Sequence, residues 1–358
     1  MPLSSNLLDF LSPGIPIVFQ SDQTREHLQR LAQRFPQVSA GWLECRLACF
    51  DRDLDCGLML RPSQFRLHDF QQARKEADPS WFPLLHLQRA LSTDASIEAR
   101  VFSEAIEMIG MEFDLPESVA VDPVPLPFLA LRSSIARDHA LSGRVLRDAL
   151  SLFGCTELAP LAQGVLRRMP DSVSLDQFGV LAAREPPALR LNLGGFSPGA
   201  MARFLLACDW PGDPQRLLHD LRPIASRCHA IELCLDLHRS GISARLGLEC
   251  FGLSPRPLCQ GDGGDLLDHL IALGLCSPAR CDALRAWTAA LQWSDHRKDW
   301  PEGLRAVQSL FSGNAVLLIR RWLNHIKLIY ADSGWREAKG YLFYAPAFQA
   351  WPPPTHHH

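Results

Sequence analysis

Short segments in which apolar and polar residues alternate occur in pairs along the chain. A period of two is typical of a β-strand with one buried and one polar face. A turn or a proline-rich stretch separates the two members of each pair, which predicts a hairpin. The five predicted hairpins are Trp42–Phe50 with Cys56–Arg61, Glu107–Leu115 with Pro127–Arg132, Phe178–Arg184 with Leu189–Gly194, Ile231–His238 with Ala244–Phe251, and His325–Ala331 with Lys339–Ala345.

Between the hairpins, the spacing of apolar residues changes to the helical period. A serine followed by a proline marks the start of two of these segments, at Ser197 and Ser277, as expected for an N-cap before a first helical residue. The predicted helices are Trp81–Leu91, Gly143–Leu152, Leu158–Arg168, Pro198–Asp209, Pro214–Arg227, Gly264–Leu273, Pro278–Gln292 and Leu304–Leu318.

The clearest hairpin indicates how the sheet is covered. In Ile231–His238 one face is apolar, whereas the other carries charged residues such as Glu232 and Asp236. Helices that connect successive hairpins lie on one face of a sheet, so the apolar face meets them. The polar face would be solvated in an open sheet, but it becomes a lumen if ten strands close into a barrel.

We therefore predict an α+β fold: a ten-stranded antiparallel barrel of five ββα-type repeats, with the helices outside and a polar lumen. The whole chain forms one domain. In it, residues 1–40 are a helical extension, residues 41–346 form the barrel and residues 347–358 are a tail. The three histidines that end the tail indicate the remnant of a purification tag.

The composition excludes several classes of protein. The 358 residues are 47% hydrophobic with a net charge of -3, which argues against disorder and against a basic nucleic-acid-binding protein. No apolar run approaches the roughly 20 residues of a membrane span, and the first residues lack the positive charge of a secretory signal. Eleven cysteines without a C-x-x-C pair indicate reduced, buried thiols in a cytoplasmic protein.

Lysine and tyrosine are rare and concentrated near the C-terminus. Arginine supplies nearly all the basic residues, yet two of the four lysines, Lys327 and Lys339, lie in the last predicted hairpin region together with all three tyrosines. A compact ammonium group suits a site that binds a point of negative charge. The alternative is a chance placement in an exposed hairpin.

Five ββα-type repeats with a polar inner face resemble the ABBA-type aromatic prenyltransferases, and the cyanobactin peptide prenyltransferases are the most similar group. The opening strand, Trp42-Leu43-Glu44-Cys45-Arg46, is similar to theirs in carrying a glutamate, and Lys339-Gly340-Tyr341 is similar to their Lys-x-Tyr pattern. The resemblance implies transfer of an isoprenyl group from an allylic diphosphate to a peptide side chain or a small aromatic acceptor, with Mg²⁺ accompanying the diphosphate.

The resemblance also implies roles for individual residues. Glu44 would accept the proton of the acceptor. The chemistry of the reaction, rather than the resemblance, suggests that Trp42, Phe251 and Tyr341 would shield the carbocation. Glu112, Asp236 and Glu249, which depart from a simply basic lumen, would contact the prenyl group or the acceptor. The diphosphate would be held by Arg61, Arg190, Arg245, Lys327, Lys339 and Tyr341.

Simpler roles remain open for several of these residues. Glu44 with Arg46, Arg245 with Glu249, and Arg190 with Asp236 would each be suitable lumenal ion pairs. The predicted inner face also carries more carboxylates than a diphosphate site requires, which suits either magnesium binding or a cationic acceptor. Two other functions are compatible with the pattern: a non-catalytic barrel that binds a peptide or small ligand, and an open α+β interaction protein.

Overall fold

A computed structural model describes residues 7–35, 40–48, 54–67, 81–91, 102–181, 187–252, 263–292, 300–310, 315–332 and 334–350. The predicted turn residues 51–53, the predicted end of the fifth strand at Arg184 and the terminal histidines lie outside these ranges. Ahead of the first strand, residues 7–34 form two α-helices and two 3-10 turns, within the predicted helical extension.

Within the described ranges, eleven antiparallel strands form one continuous sheet. Ten of them close into a barrel, because the last strand pairs with both the strand before it and the first strand; this confirms the predicted architecture. The strands are β1 Ala40–Arg46, β2 Leu54–Leu60, β3 Ile106–Phe113, β4 Pro125–Leu131, β5 Ser174–Leu181, β6 Ala188–Gly194, β7 Ala230–His238, β8 Gly241–Phe251, β9 Ala289–Gln292, β10 Ala315–Ala331 and β11 Gly334–Ala350.

The helices pack on the outer, apolar face of the barrel, and the main hydrophobic core fills the layer between them. Among the described residues, no helix combines the length and apolar composition needed to cross a bilayer. The helices are α1 Leu7–Leu11, α2 Asp22–Arg34, α3 Pro62–Leu67, α4 Phe82–Ala90, α5 Ser133–Ala136, α6 His139–Leu152, α7 Ala159–Leu166, α8 Pro198–Ala207, α9 Pro214–Ala225, α10 Gly263–Ala272, α11 Pro278–Trp287 and α12 Glu302–Leu310.

Two of the predicted helices end five or more residues early, and both errors fall next to β10. Helix α11 ends at Trp287, after which β9 pairs with the beginning of β10. Helix α12 ends at Leu310, and the apolar residues that follow belong to β10 rather than to the helix. A short apolar run fits either period equally well, and here pairing with the long strand β11 selects the extended form.

A β-bulge in β10 changes which of its residues face the lumen. Leu323 lies opposite Leu342 and His325 lies opposite Tyr341, so Asn324 is an extra residue without its own cross-strand partner on β11. Side chains alternate along a strand, and one inserted residue reverses that alternation. The bulge thereby turns His325, and two residues later Lys327, toward the inside of the barrel, where both line a cavity.

Glycines on the inner face make room for large neighbours. A Cβ atom added to Gly57 would come 1.9 Å from Cε2 of Trp42, and one added to Gly179 would come 2.3 Å from Cε1 of Phe128. Both aromatic rings therefore lie flat over a glycine of the adjacent strand. This packing sets the shape of the lumen by backbone spacing as well as by side chains.

We expect Gly57→Ala to lower the free energy of unfolding by about 1–3 kcal/mol, because the indole of Trp42 must leave its position to avoid the new methyl group. The control is Gly199→Ala on α8, where the nearest atom to an added Cβ is 3.7 Å away. That substitution should be neutral or slightly stabilising. Urea denaturation measures both variants; equal stability of the Gly57 variant and the wild type would contradict this packing.

Candidate active site

The inner face encloses two neighbouring cavities. The first, of about 410 Å³, is lined mainly by charged residues and lies toward the end of the barrel that carries the hairpin turns. The second, of about 320 Å³, is lined mainly by apolar and aromatic residues, among them Trp42, Phe128 and Phe343. We call them the polar and the aromatic cavity. Four residues line both and form the waist between them: Glu112, Arg190, Lys327 and Tyr341.

Glu44 is held by two donors from β11. Glu44 lies opposite Tyr341 in the antiparallel register, and both Nζ of Lys339 and the hydroxyl of Tyr341 donate hydrogen bonds to its carboxylate. Burial opposes ionisation of Glu44, but the charge and hydrogen bond of Lys339 outweigh it and hold the pKa of Glu44 well below its usual value. The buried carboxylate is therefore ionised.

A second buried ion pair joins β8 and β10 at the waist. Nζ of Lys327 lies 3.0 Å from Oε1 of Glu249, which also accepts from Sγ of Cys234 at 3.2 Å and from Nδ2 of Asn192 at 3.3 Å. Burial disfavours the carboxylate, yet the charge of Lys327 lowers the pKa of Glu249 to about 2. The next carboxylate along, Glu232, has its pKa raised to about 8 by burial and by the negative charge of Glu249.

The remaining inward arginines are also paired. Arg190 makes two parallel bonds to Asp236, at 2.7 and 2.9 Å, across the β6–β7 register. Arg46 and Arg245 both contact Glu337 at 3.0 Å. Of the ion pairs expected from sequence, Arg190 with Asp236 forms.

The other two expected ion pairs are replaced. Glu44 pairs with Lys339 instead of Arg46, and Arg245 pairs with Glu337 instead of Glu249. Alternation along a single strand shows which residues face the lumen. It does not show which residue of the neighbouring strand each one contacts, because that depends on the register between the strands.

Two predicted site residues lie elsewhere than expected. Arg61 is exposed and lines neither cavity, because β2 ends at Leu60 and the chain turns out into α3 before Arg61 can face the lumen. Phe251 does face inward, but it packs on the imidazole of His325, with ring centroids 5.0 Å apart, and does not line either cavity. Trp42 lines the aromatic cavity and stacks on Phe343.

Carboxylates outnumber cations around the lumen. Among the described residues, eight carboxylates and five cations line the two cavities. The cations are Arg46, Arg190, Arg245, Lys327 and Lys339, and the carboxylates are Glu44, Asp55, Glu107, Glu112, Asp114, Asp236, Glu249 and Glu337. A polyanionic ligand therefore needs positive charge beyond what these side chains supply.

Solved structures of similar shape exist. The apo form of the prenyltransferase PriB superposes with a TM-score of 0.57 at 11% identity, over 96% of each chain. The 5-dimethylallyltryptophan synthase from Streptomyces coelicolor gives a TM-score of 0.50 at 12% identity, over 94% of each chain. The chain has the ABBA barrel fold. No family model and no curated protein matches the sequence, and the likeness to the peptide-modifying subgroup stays a prediction.

Several residues of this ABBA barrel were missed in the sequence. Glu337 lies two residues before Lys339 and therefore shares the lumenal face of Lys339 and Tyr341, but the predicted strand begins only at Lys339. The sequence pattern places Asp55 in the turn before the second strand, although it is the second residue of β2 and faces the polar cavity. His325 lies two residues before Lys327 in a predicted strand. Alternation along a strand places both side chains on the same face, and this spacing is the signal that identifies His325 as a lumenal residue.

Asp55 is a carboxylate of the polar cavity whose surroundings disfavour its charge. Burial comes first, followed by the negative charges of Glu44 and Asp114, and together they raise the pKa of Asp55 to about 7. Its Oδ1 still accepts the backbone N–H of Leu115 at 2.9 Å. The carboxyl group thus changes charge near neutral pH.

Because the folded form of Asp55 holds its proton more tightly than the unfolded chain, it contributes stability that is present below pH 4 and is lost as pH rises through 7. We expect Asp55→Asn to remove this loss, so that the variant exceeds the wild type by about 2–4 kcal/mol at pH 8 and matches it near pH 4. The comparison is the free energy of unfolding in urea at both pH values. A parallel pH profile for the Asp55 variant and the wild type would contradict the assignment.

Proposed function

We propose that this ABBA barrel is a prenyltransferase that moves an isoprenyl group from an allylic diphosphate to a peptide or small aromatic acceptor. The observation that carries the proposal is the division of one lumen into a polar cavity and an aromatic cavity, with Lys327, Arg190 and Tyr341 at the waist. An allylic diphosphate has the same division, since a polyanion is joined to an apolar chain. The scissile C–O bond then lies at the waist, close to fixed positive charge.

The reaction requires three contributions that these residues are suited to make. As the C–O bond breaks, its electron pair leaves with the diphosphate, and Lys327, Lys339 and Arg190 stabilise that charge. The aromatic cavity excludes water and offers the ring faces of Trp42 and Tyr341 to the carbocation. After the acceptor forms its bond to the prenyl carbon, Glu44 takes the displaced proton.

Donor binding and the proton affinity of Glu44 are linked in this scheme. Lys339 and Tyr341 both stabilise the Glu44 carboxylate, which makes it a weak base. A diphosphate that attracts the Lys339 ammonium weakens this stabilisation and raises the affinity of Glu44 for a proton. Glu44 thereby becomes a stronger base when the donor is present.

Magnesium suits the carboxylate excess of the polar cavity. No group of three or more metal-ligating side chains occurs in the part of the chain that the structure describes, so a preformed metal site is not indicated there. Mg²⁺ is commonly held by one or two carboxylates together with substrate phosphate oxygens. Asp55 and Asp114 fit that role because their negative charges repel each other, and a bound cation would relieve this repulsion. The same ion would also neutralise charge on the diphosphate.

The excess of carboxylates also affects which acceptor the lumen would bind. An acceptor with a positive side chain would be favoured by the excess of carboxylates, whereas a neutral aromatic acceptor would depend on the aromatic cavity alone. Binding of a peptide without any turnover would instead favour the second candidate, a barrel that binds a ligand and has no catalytic activity.

The first test is binding of the donor. With Mg²⁺ present, dimethylallyl, geranyl or farnesyl diphosphate should raise the Tm of the wild type, because a ligand that binds only the folded state stabilises it. Lys339→Gln should lose most of this rise relative to its own Tm. Arg239→Gln should keep it, since Arg239 pairs with Glu157 on the exposed surface. If none of the three diphosphates raises the Tm of the wild type, the prenyltransferase proposal is wrong.

The second test separates proton transfer from binding. Glu44→Gln keeps the shape of the side chain but cannot take up a proton at the same position, so turnover should fall by about 10²–10⁴ while the donor-induced rise in Tm persists. The matched control is Glu157→Gln, outside the lumen, whose turnover should equal that of the wild type. Unchanged turnover in the Glu44 variant would remove Glu44 from the reaction.

A further inference from the structure

The extra residue of the β10 bulge links two aromatic side chains of the lumen. The indole Nε1–H of Trp322 donates to Oδ1 of Asn324 at 3.1 Å, and Nδ2 of Asn324 lies 3.0 Å from Nδ1 of His325. An indole nitrogen can only donate, so it fixes the orientation of the amide. The amide nitrogen therefore faces the imidazole and donates to it.

This orientation determines the protonation of His325. Since Nδ1 accepts a hydrogen bond, it carries a lone pair, and the proton of the neutral ring is on Nε2. Nε2 lies 3.7 Å from Oε2 of Glu249, which is too long for a hydrogen bond, but the negative charge of that carboxylate favours a hydrogen over a lone pair on the nitrogen. Burial, together with the charge of Lys327, lowers the pKa of His325 to about 4, against the opposing effect of Glu249 and Glu44.

His325 is part of the wall that would face the reacting prenyl group. Its ring stacks on Tyr341, with centroids 4.1 Å apart and planes inclined by 22°, and it lines the aromatic cavity. A protonated ring at this position would repel an allylic carbocation. A neutral ring with an open lone pair would attack the carbocation, because imidazole nitrogen is a nucleophile.

We propose that Asn324 is a positioning residue that holds His325 in its uncharged Nε2–H form, so that the ring walls the cavity without positive charge and without an open lone pair. The allylic carbocation in this inference rests on the proposed function, whereas the protonation state of His325 does not. The side reaction that Asn324 prevents is alkylation of the protein: the allylic C–O bond breaks, its electron pair leaves with diphosphate, an imidazole lone pair forms an N–C bond, and the proton of the other nitrogen is released.

The protonation state is tested without any substrate. In ¹⁵N-histidine-labelled protein at neutral pH, the signals assigned by their loss in His325→Phe should show a lone pair on Nδ1 and hydrogen on Nε2. In Asn324→Ala, loss of the hydrogen bond should change the ratio of the two neutral forms about tenfold. Asn192→Ala, which loses a contact to Glu249 and none to His325, should leave the ratio unchanged. A wild-type imidazolium, a wild-type Nδ1–H form, or an unaltered ratio in Asn324→Ala would overturn the inference.

The protective effect is tested by incubating the same proteins with dimethylallyl diphosphate and mapping peptides by mass. Asn324→Ala should gain one prenyl group on His325, and neither the wild type nor Asn324→Ala/His325→Phe should gain one there. Equal labelling of His325 in the wild type, or none in Asn324→Ala while the wild type prenylates an acceptor, would overturn protection. If no protein consumes any donor, the proposed function fails, and the NMR result alone decides the state of His325.

Discussion

Pairing of β1 with β11 is the interaction on which the rest of the structure depends. Six consecutive residue pairs, from Gly41–Tyr344 to Arg46–Lys339, join the two ends of the sheet. Without this pairing, the polar face would be open to water and its charges would be solvated. With it, Glu44 and Tyr341 face each other inside a closed wall, where electrostatic interactions are stronger and unpaired charge is costly. Closure thus turns an ordinary two-faced sheet into a chamber.

Closure requires that the cations inside the chamber be paired with carboxylates. Arg190, Lys327 and Lys339 each contact a carboxylate, and all three pairs join adjacent strands. Cross-strand register decides these partners: Arg190 lies directly opposite Asp236 and Lys327 directly opposite Glu249, whereas Lys339 contacts Glu44 diagonally. The same register explains why carboxylates crowd together at Asp55 and at Glu232, where the pKa rises instead of falling.

The sequence was sufficient to predict the barrel and most of its inward residues, because both follow from a period of two along each strand. Glu44, Lys327, Lys339 and Tyr341 all face the lumen for this reason. The ion-pair partners needed the register between strands, which one sequence does not reveal. Arg61 needed the end of β2 to be known within one residue, and boundaries are the weakest part of any pattern.

The bulge at Asn324 shows a further limit of sequence patterns. A predicted strand that begins at His325 places Lys327 correctly on the lumenal face. It does not reveal that the strand continues before His325, where the inward and outward positions are exchanged. The inserted residue is invisible to periodicity because it interrupts the period itself. Its chemical effect, an amide placed between Trp322 and His325, depends on that interruption, so only the three-dimensional structure could reveal it.

Buried charge of this kind is better explained by function than by stability. Replacing a buried ion pair with well-packed apolar residues is often neutral or stabilising, because desolvation offsets the attraction between the charges. Lys327 and Glu249 are both more than nine-tenths buried, and apolar side chains would satisfy the barrel equally well there. A purely structural lumen of this size would therefore be expected to resemble the apolar cluster of Leu126, Phe128 and Leu181. Fixed charges beside an aromatic cavity instead support the proposed prenyl transfer, because preorganised charges act without reorganising as a bond breaks.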